Sequence, residues 1–136
     1  MKSSKVRLSK ILSHCGICSR REAEKYIKEG YLKVNGKIFT DYSIESKQIK
    51  KLSIFDKVLN KKKTRIWIFN KPINYVSSNK EQGNQRSLFK LFPKDIPRLV
   101  SVGRLDIMSE GLMIFTNNPT LSSFLEKPKN RITRKY

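Results

Sequence analysis

Residues 7–40 carry dense local punctuation, and it leaves little freedom in how that stretch can fold. Leu8, Ile11, Leu12 and Cys15 recur at i, i+3, i+4 and i+7, one face of a short helix. Gly16 supplies the flexible position just past its end. Ser19-Arg20-Arg21-Glu22 then reads as a capping box, in which the serine hydroxyl accepts from the Glu22 amide while the glutamate reaches back. That second helix continues through Ala23, Tyr26 and Ile27 and ends at Gly30. Leu32 and Val34 alternate into Asn35-Gly36, the best two-residue hairpin signal in the chain, and Ile38 and Phe39 begin the return. The expected order is helix, turn, helix, hairpin.

The next stretch is less sharply written. Ile49, Leu52 and Ile54 give short alternations that suit closing strands. Lys61-Lys62-Lys63 marks a solvated break, so a domain boundary is expected near residue 62, with domains at 1–62 and 63–136. Beyond it Ile66-Trp67-Ile68-Phe69 reads as a strong strand stopped by Asn70-Lys71-Pro72, and Tyr75 to Ser78 as a second. Residues 79–87 are polar and loop-like. Leu88, Phe89, Leu91 and Phe92 suggest one or two helical turns before Pro93. Leu99 to Val102 leads into Gly103, and Leu112 to Thr116 makes another strand. Asn118 caps a helix with Pro119 at its first position, and Arg131 to Tyr136 reads as the start of a further strand. No internal repeat stands out. The fold class expected is α+β.

Charge narrows the partners. Thirty Lys and Arg face eleven Asp and Glu, a formal net charge of +19. Such an excess favours a phosphate-rich partner and makes binding strongly salt-dependent; the bland alternative is a solubilising lysine coat. Residues 1–60 hold 14 basic and 6 acidic side chains and residues 61–136 hold 16 and 5, so both halves suit the same polyanion. No apolar stretch approaches the roughly 20 residues of a membrane helix, and Met1 to Lys5 has no apolar signal core behind it. A cytoplasmic protein that touches no membrane and works as a monomer is expected.

One feature looks chemical and carries little. Cys15 and Cys18 form a C-x-x-C pair beside His14, but a structural zinc needs four ligands and the chain has no other Cys or His. Small, half-buried residues near a helix end are the simpler reading, and no metal is expected. Arg20 and Arg21 are different. They stand in the first turn of a helix, where exposed amides already favour an anion, and two guanidinium groups there make a phosphate site. Arg7, Lys10 and Lys28 extend that surface; ordinary solvated cations are the alternative.

In the second half, Asp106 sits in Gly103-Arg104-Leu105-Asp106, just ahead of the apolar run Gly111 to Thr116. A serine hydrolase needs a base, and the sole histidine, His14, lies in the other half. There is no carboxylate and histidine cluster for metal hydrolysis and no Gly-rich phosphate loop. What remains is a carboxylate acting alone as nucleophile or base, kept ionised by basic surroundings. The competing reading is a turn or salt-bridge residue beside Arg104.

Longer motifs then resemble known families. Arg7 to Leu12, Ser19 to Ala23 and Gly30 to Lys37 resemble, in order and spacing, the S-four-type RNA-binding domain over about residues 6–60. The resemblance implies structured RNA as the partner, with Ser19 opening the helix that carries Arg20 and Arg21 on the binding face. Gly103-Arg104-Leu105-Asp106, Ser109, Gly111-Leu112 and Phe115 to Asn118 look like the active-site motif of pseudouridine synthases, in the branch that acts on ribosomal RNA. Phe69-Asn70-Lys71-Pro72 through Ser77 is similar to that family's opening strand and turn, and Arg134-Lys135-Tyr136 to its basic-x-Tyr segment.

The second resemblance implies a mixed-sheet catalytic domain that isomerises a uridine without cofactor or metal. Asp106 would start breakage of the glycosidic bond of a flipped-out uridine, reached as a buried acid. Tyr136 would stack on the base. Arg104 would hold the adjacent backbone or fill the vacated stack, and Lys71 would touch phosphate or be solvated. Lys127-Pro128 and Asn118 depart from the family's common residues without touching Asp106. The family's catalytic domain continues past its tyrosine, with further strands and a basic partner for the aspartate. The chain is thus expected to be incomplete, as a fragment, a truncated product or a decaying gene. A non-catalytic RNA-binding protein and a ribosome assembly factor are the rival functions.

Overall fold

The computed structural model describes residues 4–81 and 83–136; the expectations for Met1, Lys2 and Ser3, and for Gln82 within the polar loop, lie outside the described residues. The chain divides into two compact units, Met1–Lys63 and Thr64–Tyr136.

The first unit follows the punctuation. Strand β1 (Lys5–Arg7) leads into helix α1 (Leu8–His14), and Gly16 sits in the left-handed region at φ +73° just beyond it. Helix α2 (Arg20–Lys28) opens with both halves of the capping box: Glu22 donates its amide to Ser19 Oγ at 3.3 Å, and Ser19 donates its own to Glu22 Oε2 at 2.8 Å. Such a cap contributes ~1 kcal/mol. Ala23 and Ile27 on the inner face of α2 are fully buried against Leu8, Leu12, Leu32 and Ile54; a side chain like Ile27 gains about 1.5–3 kcal/mol from that burial.

The sheet beneath the helices is two hairpins of one design. Strands β2 (Leu32–Val34) and β3 (Lys37–Ile38) turn at Asn35 and Gly36, with φ of +51° and +85°. After β4 (Ser43–Glu45), which pairs with β1, come β5 (Leu52–Ile54) and β6 (Lys57–Val58), turning at Phe55 and Asp56 with φ of +49° and +60°. Their antiparallel order is β3-β2-β5-β6. Leu32 to Phe39 and Leu52 to Leu59 also repeat one pattern of buried and exposed positions. This is a repeat that sequence reading overlooked, because Phe-Asp is not a turn signal. Ile49, expected in a strand, instead closes a short 3₁₀ turn. Asn35 ties that turn down, donating to the Gln48 carbonyl at 2.7 Å and accepting from the Lys50 and Lys51 amides.

In the second unit β7 (Ile66–Lys71) is followed by a short parallel pair, β8 (Tyr75–Val76) with β9 (Arg86–Ser87). Strands β10 (Val100–Val102) and β11 (Gly111–Thr116) complete an antiparallel sheet of order β10-β11-β7. Helix α3 (Pro119–Glu126) starts from Asn118, whose Oδ1 accepts from the Thr120 amide at 3.0 Å. One face of the sheet buries Met113 and Phe115 on an aromatic core, with the rings of Phe92 and Phe115 4.9 Å apart and those of Phe69 and Phe92 5.1 Å apart. The other face shows Ile66, Ile68 and Leu112, all more than half exposed. Residues 131–136, expected to begin a strand, pair with no strand among the described residues; Arg131 turns left-handed at φ +49° where the last short turn ends. A strand is stable only on a ladder, and none adjoins this segment.

Candidate functional site

The Asp106 loop is built from beneath by β7. Lys71, the last residue of that strand, is fully buried, and its ammonium donates into a ring of backbone carbonyls. Its Nζ lies 2.7 Å from Ser109 O, 3.0 Å from Asp106 O, 3.0 Å from Pro72 O and 3.4 Å from Ile107 O. The Ser109 amide donates to Asp106 O at 3.0 Å, closing the turn Asp106 to Ser109 around the ammonium. Burial lowers the Lys71 pKa, and the nearby Asp106 charge pulls the other way. Lys71 is therefore neither a phosphate contact nor a solvated cation. Its own strand points it inward, and carbonyls take the place of water around it.

Two more contacts fix the residues around Asp106. Ser77 is buried just past β8; its Oγ donates to Leu105 O at 2.8 Å and accepts from the Leu105 amide at 3.2 Å. The Asn74 amide donates to Ile107 O at 2.8 Å. With Leu105, Ile107 and Ser109 all held through their backbones, the Asp106 side chain is left outside. It is exposed, not buried as expected, because the loop spends its carbonyls rather than its carboxylate on Lys71.

Beside this turn lies a cleft of 520 Å³ whose walls include Arg104, Leu105, Leu112, Ile114, Leu125, Arg134 and Tyr136. Arg104 and Tyr136 are thus brought to one cleft, while Asp106 adjoins it through Leu105 and does not line it. Tyr136 is 95% exposed, so its ring is accessible. Gly103 stands at φ +77°, and a Cβ there would lie 2.8 Å from the Arg134 guanidinium. The left-handed backbone is what calls for glycine there, since the tip of a flexible arginine can swing aside. Among the described residues no group of three or more His, Cys, Asp or Glu is placed to hold a metal ion.

In the first unit the expected RNA-facing cations are on the surface. Arg7, Lys10, Arg20, Arg21 and Lys28 are all exposed, and Ser19 is half-buried beneath its cap. Lys10 and Arg20 converge on His14, whose pKa is lowered by partial burial first and then by Lys10, Arg20 and Lys61. Lys62 Nζ comes within 3.8 Å of where a Cβ on Gly16 would stand. Lys61 and Lys62 therefore join this basic patch, although the sequence showed them only as a solvated run. Cys15 and Cys18 are buried and form no disulfide, and burial raises the Cys15 pKa, the opposite of what activates a thiol.

Comparison with known proteins gives these features a common setting. The S4 domain family matches residues 6–45, and the family described as RNA pseudouridylate synthase matches residues 65–136. An uncharacterised RNA pseudouridine synthase of Rickettsia felis is 37% identical over 96% of this chain and 57% of its own length. A ribosomal large subunit pseudouridine synthase B of Buchnera aphidicola is 38% identical over 96% of this chain and 54% of its own. Its namesake in Bacillus subtilis is 31% identical over 96% and 53%. The chain spans about half the length of these curated relatives. A pseudouridylate synthase crystal structure covers 92% of the chain at 26% identity with a TM-score of 0.49, too slight a likeness to argue from. On the family match across its second unit, the chain belongs to the RNA pseudouridylate synthases, and it carries an S4 domain ahead of that match.

Proposed function

We propose that this chain carries the RNA grip and the aspartate loop of a pseudouridine synthase acting on ribosomal RNA. Residues 1–62 bind structured RNA through α1, α2 and the Lys61-Lys62 run, and residues 63–136 present the reacting residues. The large-subunit RNA is the favoured substrate, because the Buchnera and Bacillus relatives are named for it. Asp106 starts cleavage of the bond between ribose and the uracil nitrogen. The freed base turns and rejoins the same ribose carbon through its own carbon, and the proton leaving that carbon balances the one gained by the nitrogen. Tyr136 stacks on the flipped base, a contact of ~1–3 kcal/mol, and Arg104 holds the neighbouring backbone or fills the gap in the stack.

The observation that carries this reading is the Asp106 turn itself. Three backbone carbonyls of the turn on a buried Lys71 and a serine clamped on Leu105 hold the backbone around one exposed carboxylate, beside a cleft walled by Arg104 and Tyr136. A residue serving only as a surface turn does not need that support. The test joins this chain to the remaining segment of the Rickettsia felis relative and measures pseudouridine in a ribosomal RNA transcript. The joined protein is expected to form pseudouridine. Asp106→Asn in it is expected to abolish formation with RNA affinity nearly unchanged. A joined protein that binds RNA and forms none would overturn the proposal in favour of a non-catalytic RNA-binding protein.

A further inference from the structure

The two hairpins of the first unit share one design but not one turn chemistry. Asn35-Gly36 suits a turn in which both residues are left-handed, whereas Phe55 holds φ +49° with a bulky side chain. Local backbone preference therefore opposes Phe55, and something outside the turn must favour it. Its ring lies 5.0 Å from that of Tyr31 and 5.1 Å from that of Tyr26. Phe55 and Tyr31 nevertheless remain 47% exposed, so this is no closed core.

A second exposed row lies on the outer face of the same sheet. Lys33 pairs with Ile38 and with Ser53, and Ser53 pairs with Val58, so these four share the outer face of the sheet. Ile38 and Val58 are exposed. Lys33 stands in the middle of the row and reaches Asp56 at 2.6 Å, which neutralises the carboxylate of the turn. Exposed Lys37 and Lys57 flank the two hairpin ends. A protein-docking face is depleted of charge at its centre. Exposed aromatic rings at the end of a small sheet whose outer face carries lysines instead suit unpaired nucleotides, whose bases stack while their phosphates meet cations.

We propose that Phe55 and Tyr31, at the end of the β2-β5 pair beside Tyr26 of α2, stack an unpaired nucleotide next to the RNA element gripped by α1 and α2. The proposal rests on the first unit binding RNA. The test therefore compares a blunt RNA hairpin with the same hairpin carrying a single-stranded adenosine extension, both bound to the full chain. The extension is expected to raise affinity.

Phe55→Asn, which copies the turn residue of the other hairpin, is expected to cancel that gain, a loss of roughly 5- to 150-fold as for one stacked base. It should leave blunt-hairpin affinity, the salt dependence of binding and the thermal midpoint of the first unit unreduced. Tyr31→Leu should also lose the gain and Tyr31→Phe keep it. No gain from the extension in the unaltered chain would overturn the proposal and leave this face to a protein partner, with the RNA grip intact. Equal losses on both hairpins from Phe55→Asn would overturn it too. If the chain binds neither hairpin, the RNA-grip reading fails first and this one with it.

Discussion

The two units are fastened in different ways. In the first, the second helix and both hairpins are started by residues close in sequence, a capping box three residues wide and two-residue turns, while the β1-β4 and β2-β5 pairings close the unit over longer spans. In the second, the contacts that matter span long distances along the chain. Lys71 reaches carbonyls 35 to 38 residues away, Ser77 holds Leu105 across 28, and Thr116 donates to the Arg65 carbonyl across 51. Local fastening produces a fold that neighbouring residues specify. Long-range fastening allows a loop to be rigid where its own sequence is not, which is what the reaction proposed for the exposed Asp106 requires.

The largest test of this contrast is Lys71→Met. It removes the donor shared by four carbonyls; Asp106 O and Ile107 O keep the Ser109 and Asn74 amides, while Pro72 O and Ser109 O lose the ammonium. The second unit is expected to lose roughly 2–4 kcal/mol, since each buried group left unpaired costs ~1–3 kcal/mol. Trp67 is the single tryptophan and lies in β7, so its fluorescence reports that unit's unfolding alone. The transition followed by Trp67 should shift while the first unit's helical signal holds its midpoint. A matching shift in both would erase the distinction between the units.

Ser77→Ala comes next. It leaves the Leu105 amide and carbonyl without their shared partner and should cost the second unit about 1–2 kcal/mol. In the joined protein it should also slow pseudouridine formation without weakening RNA binding. Loss of stability with full activity would mean that Leu105 does not position Asp106. Smaller again is Ser19→Ala, expected to cost the first unit ~1 kcal/mol through the lost cap and to leave the Trp67 transition where it was.

The same contrast governs what could be read beforehand. The capping box, the Asn35-Gly36 turn and the Asn118-Pro119 helix start were legible, because each is a short-range bargain between a side chain and the backbone beside it. The Phe55-Asp56 turn was not, since a strained turn held by packing leaves no propensity signal. Lys71 was assigned to phosphate or solvent because its true partners are carbonyls, and carbonyls have no residue identity to match. Asp106 stands out by its motif resemblance, yet its exposure follows from what Lys71 holds and is not legible for the same reason. Lys61 and Lys62 read as a break in the chain, and only the folded unit shows them beside His14 and Gly16.

The smallest expected effect concerns His14 and confines itself to the first unit. Partial burial, then Lys10, Arg20 and Lys61, hold its folded pKa below the ordinary 6.5. Between the folded value and 6.5 the unfolded chain binds a proton that the folded unit refuses. Stability should therefore be complete above pH 6.5, fall as pH drops through that window, and level off below the folded pKa. His14→Gln should flatten this slope, and the Trp67 transition should show no part of it. Bound RNA sharpens the test. Phosphates beside Lys10 and Arg20 would offset their charge and move the His14 pKa back up, a change that NMR titration of the single histidine can follow. An unmoved pKa in the complex would place the RNA away from this patch, and the grip would have to be sought on another face of the unit.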